Sequence, residues 1–466
     1  MEPRTVDYIV QACQGRLLKG SAGFRISQIS TDSRAIQEGG VFFALRGERF
    51  DGHNFLLDAL AKGAKGIVVQ RAITQEISEK AEIVIMVDDV ILALGRLATY
   101  YCRDFKPLMI AVAGSNGKTT TKELIGSVLM QSGSTLRNEA SFNNHIGVPL
   151  TLLQLNSTHR NAVLEIGSNH PGELNPLIQM ISPRIGVITS IGREHLEFFK
   201  NLDGVALEEG SLAEQLPEGG SLFVNGDSPR MHLVVSRARC KVQTVGFSGG
   251  NDWRVTRHSV LSDGVEFEVA SPKTGYDGTY RIGLLGRHQI TNALLAIAVG
   301  AELEIRVDQI RKGLMMCAPP KSRMNRRSSG GVEIIDDCYN ANVDSMIAAL
   351  DALKMLPCNG RRVAVLGDMA ELGDTSEAAH GEVGHYTGLS NVDVLFAVGK
   401  WAHHMGARAR EAGVRDVRCH ADLLPAIPEI QQFLRQGDIV LLKASHAMQM
   451  ERLSRQLERP LVANQI

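Results

Sequence analysis

This chain of 466 residues lacks paired cysteines, an excess of one charge and long apolar runs. Its seven cysteines are odd in number and never stand in C-x-x-C spacing, which argues against a disulfide framework and a thiolate zinc site. The 50 Lys and Arg nearly cancel the 51 Asp and Glu, so no broad field favours nucleic acid. No stretch of about 18 apolar residues occurs, and the N-terminus has no apolar core of signal length. We therefore expect a cytoplasmic protein without membrane insertion and without a nucleic-acid partner.

The composition, 44% hydrophobic and 22% charged, is typical of a soluble α/β protein. A chain of 466 residues is too long for one compact core, which favours about three domains. Neither disorder nor a fibrous repeat is indicated. We expect several domains, each with a buried apolar core.

Short apolar runs that end in Gly or Ser and lead into helical patterns recur along the chain. Such strand-loop-helix units are typical of buried parallel sheets. They form two blocks, with 108–115, 161–168 and 184–192 in the first and 361–368, 393–400 and 438–445 in the second. The more polar stretch 246–281 between the blocks alternates in hydropathy and predicts antiparallel strands. The sequence thus predicts an α/β fold.

Prolines mark the two predicted domain boundaries. Lys106 and Pro107 precede the first strongly parallel strand, and the segment before them has its own short strands. Farther along, Pro319 ends a helix that is predicted to begin near Gln289. The predicted domains are therefore 1–106, 107–317 and 318–466.

A candidate phosphate loop follows the strand that ends near Gly114. In the run G-S-N-G-K-T-T, glycines let backbone N–H groups approach phosphate oxygens, and the following helix N-terminus adds its dipole. Lys118 supplies a positive charge and Thr119 a hydroxyl for magnesium. The common form of the motif has glycine at position 112, where this chain has Val112, so only the shorter form is present. We predict that this loop binds the phosphates of ATP.

Two side chains after later strands of the same block are candidate magnesium ligands. Glu165 ends one strand and His195 follows the next. Carboxyl ends of neighbouring parallel strands meet at the edge where such sheets bind ligands, and magnesium prefers oxygen. Taken alone, a strand-end Glu is usually solvated and a lone His usually satisfies a local hydrogen bond. The joint placement of the two favours a metal site.

Several runs resemble the Mur ligases, the cytoplasmic enzymes that build the peptide stem of peptidoglycan. The run STDSRAIQEGGVFFALRGERFDGH resembles the UDP-sugar-binding N-terminal domain of that family. The runs SFNNHIGVPLTLL, GRHQITNALLAIAV, IIDDCYNANVDSMIAAL and GDMAELG resemble the branch that adds D-alanyl-D-alanine. The Asp-Asn-Pro-Arg run typical of tripeptide synthetases is missing from the sequence.

The resemblance implies a small α/β domain that binds the UDP substrate, a central P-loop ATPase domain with a mostly parallel sheet, and a Rossmann-like C-terminal domain. It implies a ligase that uses ATP and Mg²⁺ to join D-alanyl-D-alanine to UDP-N-acetylmuramoyl-tripeptide through an acyl phosphate. This step would serve peptidoglycan synthesis, and with it cell wall biogenesis, cell shape and cell division. We expect such an enzyme to act as a monomer.

The resemblance also implies roles for individual residues. Lys118 would hold the β- and γ-phosphates, Thr119 and Glu165 the first magnesium ion, and His195 the second. The implied nucleotide-binding residues are Gly114, Ser115, Asn116, Gly117, Lys118, Thr119, Thr120, Asn292, Arg323, Asp337, Tyr339 and Asn340. The implied substrate-binding residues are Asp32, Ser33, Arg34, Arg46, Asp51, His53, Asn143 and Asn144.

One departure from the family's pattern concerns the second metal. A lysine carbamylated by carbon dioxide usually supplies a ligand there, and this chain has Glu209 in its place. We predict that the Glu209 carboxylate replaces the carbamate as a metal ligand and belongs to the catalytic set with Lys118, Glu165 and His195. The alternative is that Glu209 is a charged residue on a helix surface.

Other departures affect the acceptor side more than the reaction class. His446 stands where arginine is usual, and an imidazole is mostly neutral at pH 7. Val343 replaces a usual proline, and Arg193 and Glu194 stand where smaller residues are common.

Other functions stay open. Another amide ligase of the superfamily, of the tripeptide or folylpolyglutamate synthetase type, is disfavoured by the TDSR, FDGH and GDMAELG runs. A non-catalytic nucleotide- or UDP-sugar-binding protein would account for Glu209 and His446. A simple P-loop ATPase is disfavoured because the sequence has no convincing Walker-B run.

Overall fold

The computed structural model describes residues 1–47 and 50–458, so positions 459–466 of the predicted last domain lie outside the described residues. Backbone contacts divide the chain into two compact units. The first comprises Met1–Ala111, Gly133–Gly167 and Glu173–Arg184, and the second comprises Val112–Ser132, Ser168–Gly172 and the chain from Ile185 onward. None of the helices in the described ranges combines the length and the apolar character that crossing a bilayer requires.

Strands are numbered along the described chain. They are β1 (Arg4–Thr5), β2 (Arg16–Lys19), β3 (Arg25–Ile26), β4 (Ile29–Ser30), β5 (Val41–Phe43), β6 (Gly66–Val69), β7 (Ile83–Met86), β8 (Leu108–Ala113), β9 (Thr135–Arg137), β10 (Asn161–Glu165), β11 (Ile185–Ile188), β12 (Ser221–Asn225), β13 (Lys241–Gly246), β14 (Trp253–Leu261), β15 (Gly264–Ala270), β16 (Gly278–Ile282), β17 (Asn325–Ser329), β18 (Val332–Asp336), β19 (Arg362–Gly367), β20 (Val394–Val398), β21 (Asp416–His420) and β22 (Ile439–Lys443).

Helices are numbered in the same way. They are α1 (Val6–Cys13), α2 (Leu56–Ala61), α3 (Gln75–Lys80), α4 (Val90–Cys102), α5 (Lys118–Leu129), α6 (Gly147–Leu152), α7 (Leu174–Ile181), α8 (Leu196–Phe199), α9 (Leu202–Gln215), α10 (Met231–Val235), α11 (His288–Glu302), α12 (Val307–Met316), α13 (Val343–Met355), α14 (Ser376–Leu389), α15 (Ala402–Glu411), α16 (Leu423–Phe433) and α17 (Glu451–Gln456).

The first unit contains a five-stranded sheet in the order β2-β7-β6-β5-β4. Strands β4 to β7 pair in parallel, and β2 joins β7 in the antiparallel sense. The run Gly-Ile-Val-Val of β6 is buried at every position, as expected for a parallel strand covered on both faces. In the same unit β9 and β10 pair in parallel, and β10 ends at Glu165.

In the second unit, β11 to β14 pair in parallel in chain order, and β14 to β16 pair in the antiparallel sense. The antiparallel strands fall in the polar stretch for which the sequence predicted them. The apolar runs at 108–115, 161–168 and 184–192 form β8, β10 and β11, which confirms the strands of the first block.

The second unit also holds a six-stranded sheet in the order β17-β18-β22-β19-β20-β21, antiparallel at the β17–β18 edge and parallel elsewhere. Successive residues of β19 point to different cores. Val363 and Val365 pack in the cluster that includes residues of α16 and α17, while Ala364 and Leu366 pack in the cluster that includes residues of α13 to α15. Helices therefore cover both faces, which confirms the Rossmann-like expectation.

The single helix predicted from near Gln289 to the prolines was wrong, because the chain forms α11 and α12 there. Glu304 has a left-handed backbone with φ of 57°, and Ile305 N donates to Gly300 O over 3.0 Å. This is the hydrogen-bond pattern that ends helices. The break was missed because no glycine marks it.

Candidate functional site

The phosphate loop, residues 114–117, leads into α5 in the second unit. Gly114 and Gly117 have φ of 114° and 89°, in the region that favours glycine. A Cβ at Gly117 would lie 2.4 Å from Asn292 Oδ1, so this predicted nucleotide-binding asparagine packs directly on the loop. Gly117 is the N-cap of α5, which begins at Lys118 without a side-chain cap from the described residues. An N-terminus of this kind is suited to bind phosphate.

Lys118 folds back over the loop that precedes it. Its Nζ donates to Gly114 O over 2.5 Å and to Ser115 O over 3.3 Å. The Glu194 carboxylate approaches the same ammonium group at 3.5 Å. The lysine therefore holds its charge at the loop, where phosphate oxygens would replace carbonyl oxygens as its partners.

Glu209 lies on α9 and is 3% exposed, so it is not the helix-surface residue of the alternative interpretation. Its Oε2 accepts a hydrogen bond from Gly114 N over 2.7 Å. Burial raises the pKa of this carboxyl to about 8, Lys118 opposes that rise, and Glu194 adds to it. A titratable oxygen group thus lies directly beneath the phosphate loop.

His195 is held by a residue of the GDMAELG run. Its Nδ1 is hydrogen-bonded to the Glu371 carboxylate, and its Nε2 lies 3.9 Å from Glu194 Oε2. The hydrogen bond with His195 lowers the pKa of Glu371. His195 and Glu371 both have left-handed backbones, with φ of 50° and 58°, and Glu197 N donates to Glu371 O over 3.0 Å. Such strain is typical of functional sites.

Glu165 lies in the first unit at the end of β10, where two asparagines hold it. Asn143 Nδ2 donates to Glu165 Oε1 over 2.8 Å. Asn138 bonds the Glu165 backbone twice, accepting from its N and donating to its O, each over 2.9 Å. The predicted residues Asn143 and Glu165 are thus brought together. The carboxylate is fixed by one oxygen.

Two predicted magnesium ligands carry buried oxygens without a hydrogen-bond partner among the described residues. They are Thr119 Oγ1 and Glu165 Oε2. A buried polar atom usually has a partner, so each oxygen is available to a group that is not part of the chain. Within the described ranges, no three His, Cys, Asp or Glu side chains converge as a ready-made metal cluster. An ion bound by either oxygen would therefore need further ligands, such as phosphate oxygens.

The predicted nucleotide-binding residues of the six-stranded sheet region form one cluster. Lys443 Nζ donates to Asp337 Oδ2 over 2.6 Å and to Asn340 O over 3.0 Å. The Arg323 guanidinium lies over the Tyr339 ring, with its Cζ 4.0 Å from the ring centroid. This arrangement offers a charged and an aromatic surface to a nucleotide.

His446 lies beside this cluster, whereas Asn292 lies on α11 and packs on the phosphate loop. The His446 ring lies 6.2 Å from that of Tyr339, and His446 N donates to Asn340 Oδ1 over 3.3 Å. Asn292 Nδ2 donates to Gln289 Oε1 over 2.8 Å. Asn342 Nδ2, next to this cluster in sequence, donates to Asn116 Oδ1 over 3.0 Å. The phosphate loop and the last sheet region are therefore in contact within the second unit.

The remaining substrate candidates lie in the first unit, and two turns hold several of them. Asp32 accepts from Arg34 N, Nε and Nη2 at 2.8–3.0 Å, and this holds the pKa of Asp32 down at about 2. In the other turn, His53 Nδ1 lies 2.8 Å from Asp51 Oδ1, and its Nε2 accepts from Gln70 N. Both ring nitrogens of His53 are thus hydrogen-bonded to other residues of the first unit.

The other three candidates differ in their surroundings. Ser33 is half-buried between Asp32 and Arg34. Arg46 is exposed and pairs with Asp51 in an isolated antiparallel bridge. Asn144 Oδ1 accepts from Ile146 N and Gly147 N at the start of α6, so its carbonyl serves the fold.

Three Mur ligase domain families match the sequence. The "Mur ligase family, catalytic domain" matches residues 25–101, the "Mur ligase middle domain" residues 112–300, and the "Mur ligase, glutamate ligase domain" residues 322–446. The chain is also 34% identical to the UDP-N-acetylmuramoyl-tripeptide–D-alanyl-D-alanine ligase of Bacillus subtilis, covering 99% of this chain and 100% of that protein. The chain belongs to the Mur ligase family.

Solved structures of Mur ligases agree with this assignment. The chain is similar to MurF from Acinetobacter baumannii, with a TM-score of 0.88 and 32% identity over 98% of this chain and 99% of that one. It is also similar to MurF from Thermotoga maritima in complex with ADP, with a TM-score of 0.80 and 26% identity over 93% and 97% of the two chains. The three-domain Mur ligase architecture is therefore that of this chain.

Sequence reasoning missed several residues of this Mur ligase site. Asn138, Glu371, Asp344 and Lys443 were not singled out, although the first three lie in or beside runs that carried the resemblance. They share no local pattern, because Asn138 follows β9, Lys443 ends β22, Asp344 lies in the first turn of α13 and Glu371 lies in the loop after β19. Only long-range contacts distinguish them from other polar residues.

Proposed function

We propose that this chain is an ATP-dependent ligase that joins D-alanyl-D-alanine to UDP-N-acetylmuramoyl-tripeptide. The main support is the hydrogen bond from Asn342 to Asn116, which joins the phosphate loop to the region of Asp337, Tyr339 and Asn340. It gives one nucleotide a phosphate-binding end at Lys118 and an aromatic, charged surface at Tyr339 and Arg323. Relatives that share the full length of the chain carry the same activity in their names.

The first step activates the terminal carboxylate of the tripeptide. A carboxylate oxygen attacks the γ-phosphorus of ATP, the bond from that phosphorus to the bridging oxygen breaks, and ADP leaves with both electrons. The products are an acyl phosphate and ADP. Lys118 would hold the phosphate oxygens while their charge redistributes, with the loop N–H groups as its neighbours.

The second step forms the amide. The neutral amino group of the dipeptide attacks the acyl carbon, and a C–N bond forms. The bond to the phosphate oxygen then breaks, phosphate leaves, and the proton of the amine passes to solvent. Water competes with the amine for the acyl phosphate, so the protein must exclude water while the intermediate exists.

Magnesium is the proposed cofactor besides the substrate ATP, and Thr119, Glu165, His195 and Glu209 are its proposed ligands. In the second unit, the unpartnered buried oxygen of Thr119 and the carboxyl group of Glu209 beneath the loop suit this role. In the first unit, Glu165 has an unpartnered buried oxygen of the same kind. When bound, magnesium neutralises charge on phosphate oxygens and polarises the transferring group. Glu209 would provide its oxygen without carbon dioxide.

The remaining assignments are part of the same proposal. Asn292, Arg323, Asp337, Tyr339 and Asn340 would bind the nucleotide. Asp32, Ser33, Arg34, Arg46, Asp51, His53, Asn143 and Asn144 would bind or shape the site of the UDP substrate. Cytoplasmic location, a monomeric state and the boundaries 1–106, 107–317 and 318–466 complete the proposal.

A product assay tests this function. Purified protein is incubated with ATP, Mg²⁺, the UDP-muramoyl-tripeptide and D-alanyl-D-alanine, and products are weighed by mass spectrometry. A pentapeptide adduct with one ADP per adduct supports the ligase. ADP without an adduct would instead indicate an ATPase, and no turnover would indicate a binding protein. A parallel reaction with single amino acids in place of the dipeptide would indicate another Mur ligase if it gave an adduct.

A further inference from the structure

Arg193 links the loop after β11 to the first turn of α13. Its backbone N donates to Asp344 Oδ2 over 2.8 Å, and its Nε and Nη2 donate to Asp344 Oδ1 over 2.9 and 2.7 Å. Its Nη1 donates to Glu382 Oε2 on α14 over 2.7 Å. One arginine thus uses both ends of its fork on two carboxylates that are carried by separate helices.

The same end of α13 contacts the phosphate loop directly. Asn342, the N-cap of α13, donates from Nδ2 to Asn116 Oδ1, and its own Oδ1 accepts from Ser345 N in a capping box. A Cβ at Gly192 would lie 2.9 Å from Asp344 Oδ2 and 3.1 Å from Asn116 Nδ2. The loop end, Gly192 and the start of α13 therefore form a tight three-way junction.

The loop that carries Arg193 is bonded to the phosphate loop as well. Gly192 N donates to Ser115 Oγ over 2.8 Å, and Asn116 N donates to Ser190 Oγ over 2.9 Å. Ser115 N donates to Ser190 O over 2.9 Å. A shift of residues 115–116 would be transmitted to Arg193 through these bonds. Arg193 in turn is bonded to Asp344 at the helix end that contacts Asn116.

The ion pairs of Arg193 with Asp344 and Glu382 are partly exposed to solvent and can therefore break and re-form. Side chains of Arg193, Asp344 and Glu382 are 30%, 36% and 46% exposed, so water can replace each partner. Partly exposed pairs contribute modestly to folding and are screened by salt. A contact of this strength suits an element that must close during the reaction and open for release.

We propose that Arg193 is a positioning residue that latches α13 to the phosphate loop and thereby directs the acyl phosphate to the dipeptide amine rather than to water. The proposal rests on the ligase function above. Arg193 touches no reacting atom; it acts through Asp344, whose helix carries the contact to Asn116. Loss of the latch leaves the phosphoryl transfer in place and opens the intermediate to hydrolysis.

Arg193→Ala, Arg193→Lys and Arg418→Ala form the test set. Arg418 is a matched control, since it is 33% exposed and bonds two carboxylates, Asp416 and Glu429, both within the last sheet region. The first readout is the ratio of ADP to ligated product. We expect Arg193→Ala to raise this ratio roughly three-fold or more because water reaches the intermediate. We also expect the KM for the dipeptide to rise more in Arg193→Ala, relative to the parent, than the KM for ATP.

Arg193→Lys keeps the charge without the fork, so an intermediate ratio is expected, and Arg418→Ala keeps the parent ratio. The second readout is hydrogen exchange of the nucleotide-free protein at residues 345–350. Faster exchange in Arg193→Ala but not in Arg418→Ala supports the latch even if no ligated product is ever seen. Unchanged exchange overturns the latch, and an unchanged product ratio in an active enzyme overturns its role in positioning.

Discussion

The buried carboxylate of Glu209 accepts a hydrogen bond from the backbone N–H of Gly114, the residue at which the phosphate loop begins. Lys118, four residues farther along, is the main positive charge that acts on this carboxyl. The phosphate loop is therefore bonded to an acid whose pKa is raised by burial, while Lys118 of the following helix opposes that rise.

Replacing Glu209 by Gln should change how stability depends on pH. Burial raises the pKa of Glu209 from 4.5 to about 8, so the folded state binds more protons than the unfolded state between these values. The contribution of this group is thus fully present below about pH 4.5 and is lost as pH rises towards 8. Glu209→Gln has no ionisable group at this position, so its stability does not decrease with pH for this reason.

Urea unfolding of the nucleotide-free proteins without magnesium measures the effect. The stability of Glu209→Gln relative to the parent should rise with pH by on the order of 1 kcal/mol per unit in that window. It should level off above it. A difference that is constant from pH 5 to 8 would contradict a raised pKa.

Replacing Glu209 by Ala should impair catalysis without unfolding the chain. We expect kcat to fall by roughly 10²-fold or more, because a proposed ligand of the magnesium ion that would neutralise charge at the transferring phosphate is lost. Parent activity should be the same with and without added bicarbonate, since a carboxylate needs no carbon dioxide. Glu214→Ala, an exposed change on the same helix, is the control. Bicarbonate-dependent activity would argue against Glu209 as the replacement for the carbamate.

Replacing Gly117 by Ala should weaken nucleotide binding. The residue has φ of 89°, and a Cβ would lie 2.4 Å from Asn292 Oδ1. We expect a stability loss of about 1–2 kcal/mol and a clearly raised Kd for ATP, measured by calorimetry. Gly219→Ala is a matched control because its Cβ would meet nothing within 4 Å. Equal behaviour of the two variants would show that the loop geometry is not needed.

Replacing Val343 by Pro should be tolerated. Val343 is the first residue of α13, where proline costs no helical hydrogen bond and its φ is already suitable. Urea unfolding should give a free energy within about 1 kcal/mol of the parent, whereas Ile347→Pro inside the helix should cost about 3 kcal/mol or more. A large loss at position 343 would mean that the buried valine side chain is required.

Much of the fold could be predicted from local pattern. Parallel strands such as β19 are apolar runs ending in glycine, and the phosphate loop is a contiguous motif. The helix predicted after the phosphate loop is confirmed and begins at Lys118, because the glycine, the polar loop and the helical pattern follow one another directly. The break between α11 and α12 was not predicted, since a left-handed Glu304 leaves no sequence signature.

For the candidate site, the sequence indicated individual residues but not the contacts between them. Strand ends singled out Glu165 and His195, and a family run singled out Asn143, but the partners of these residues depend on distant chain segments. His195 and Glu371 are 176 positions apart, and Arg193 and Asp344 are 151 apart. Whether Glu209 faced solvent or the loop depended on the orientation of α9, which its sequence alone leaves open. In the structure Glu209 is buried and accepts a hydrogen bond from Gly114 N, so it faces the loop.

The decisive measurement is the mass of the product formed from ATP, Mg²⁺, UDP-muramoyl-tripeptide and D-alanyl-D-alanine, with Lys118→Ala in parallel. We predict a pentapeptide product, matched by ADP, from the parent protein, and roughly 10²-fold less or none from the variant that lacks the phosphate-binding ammonium. ADP release without a pentapeptide, or equal product from both proteins, would contradict this prediction.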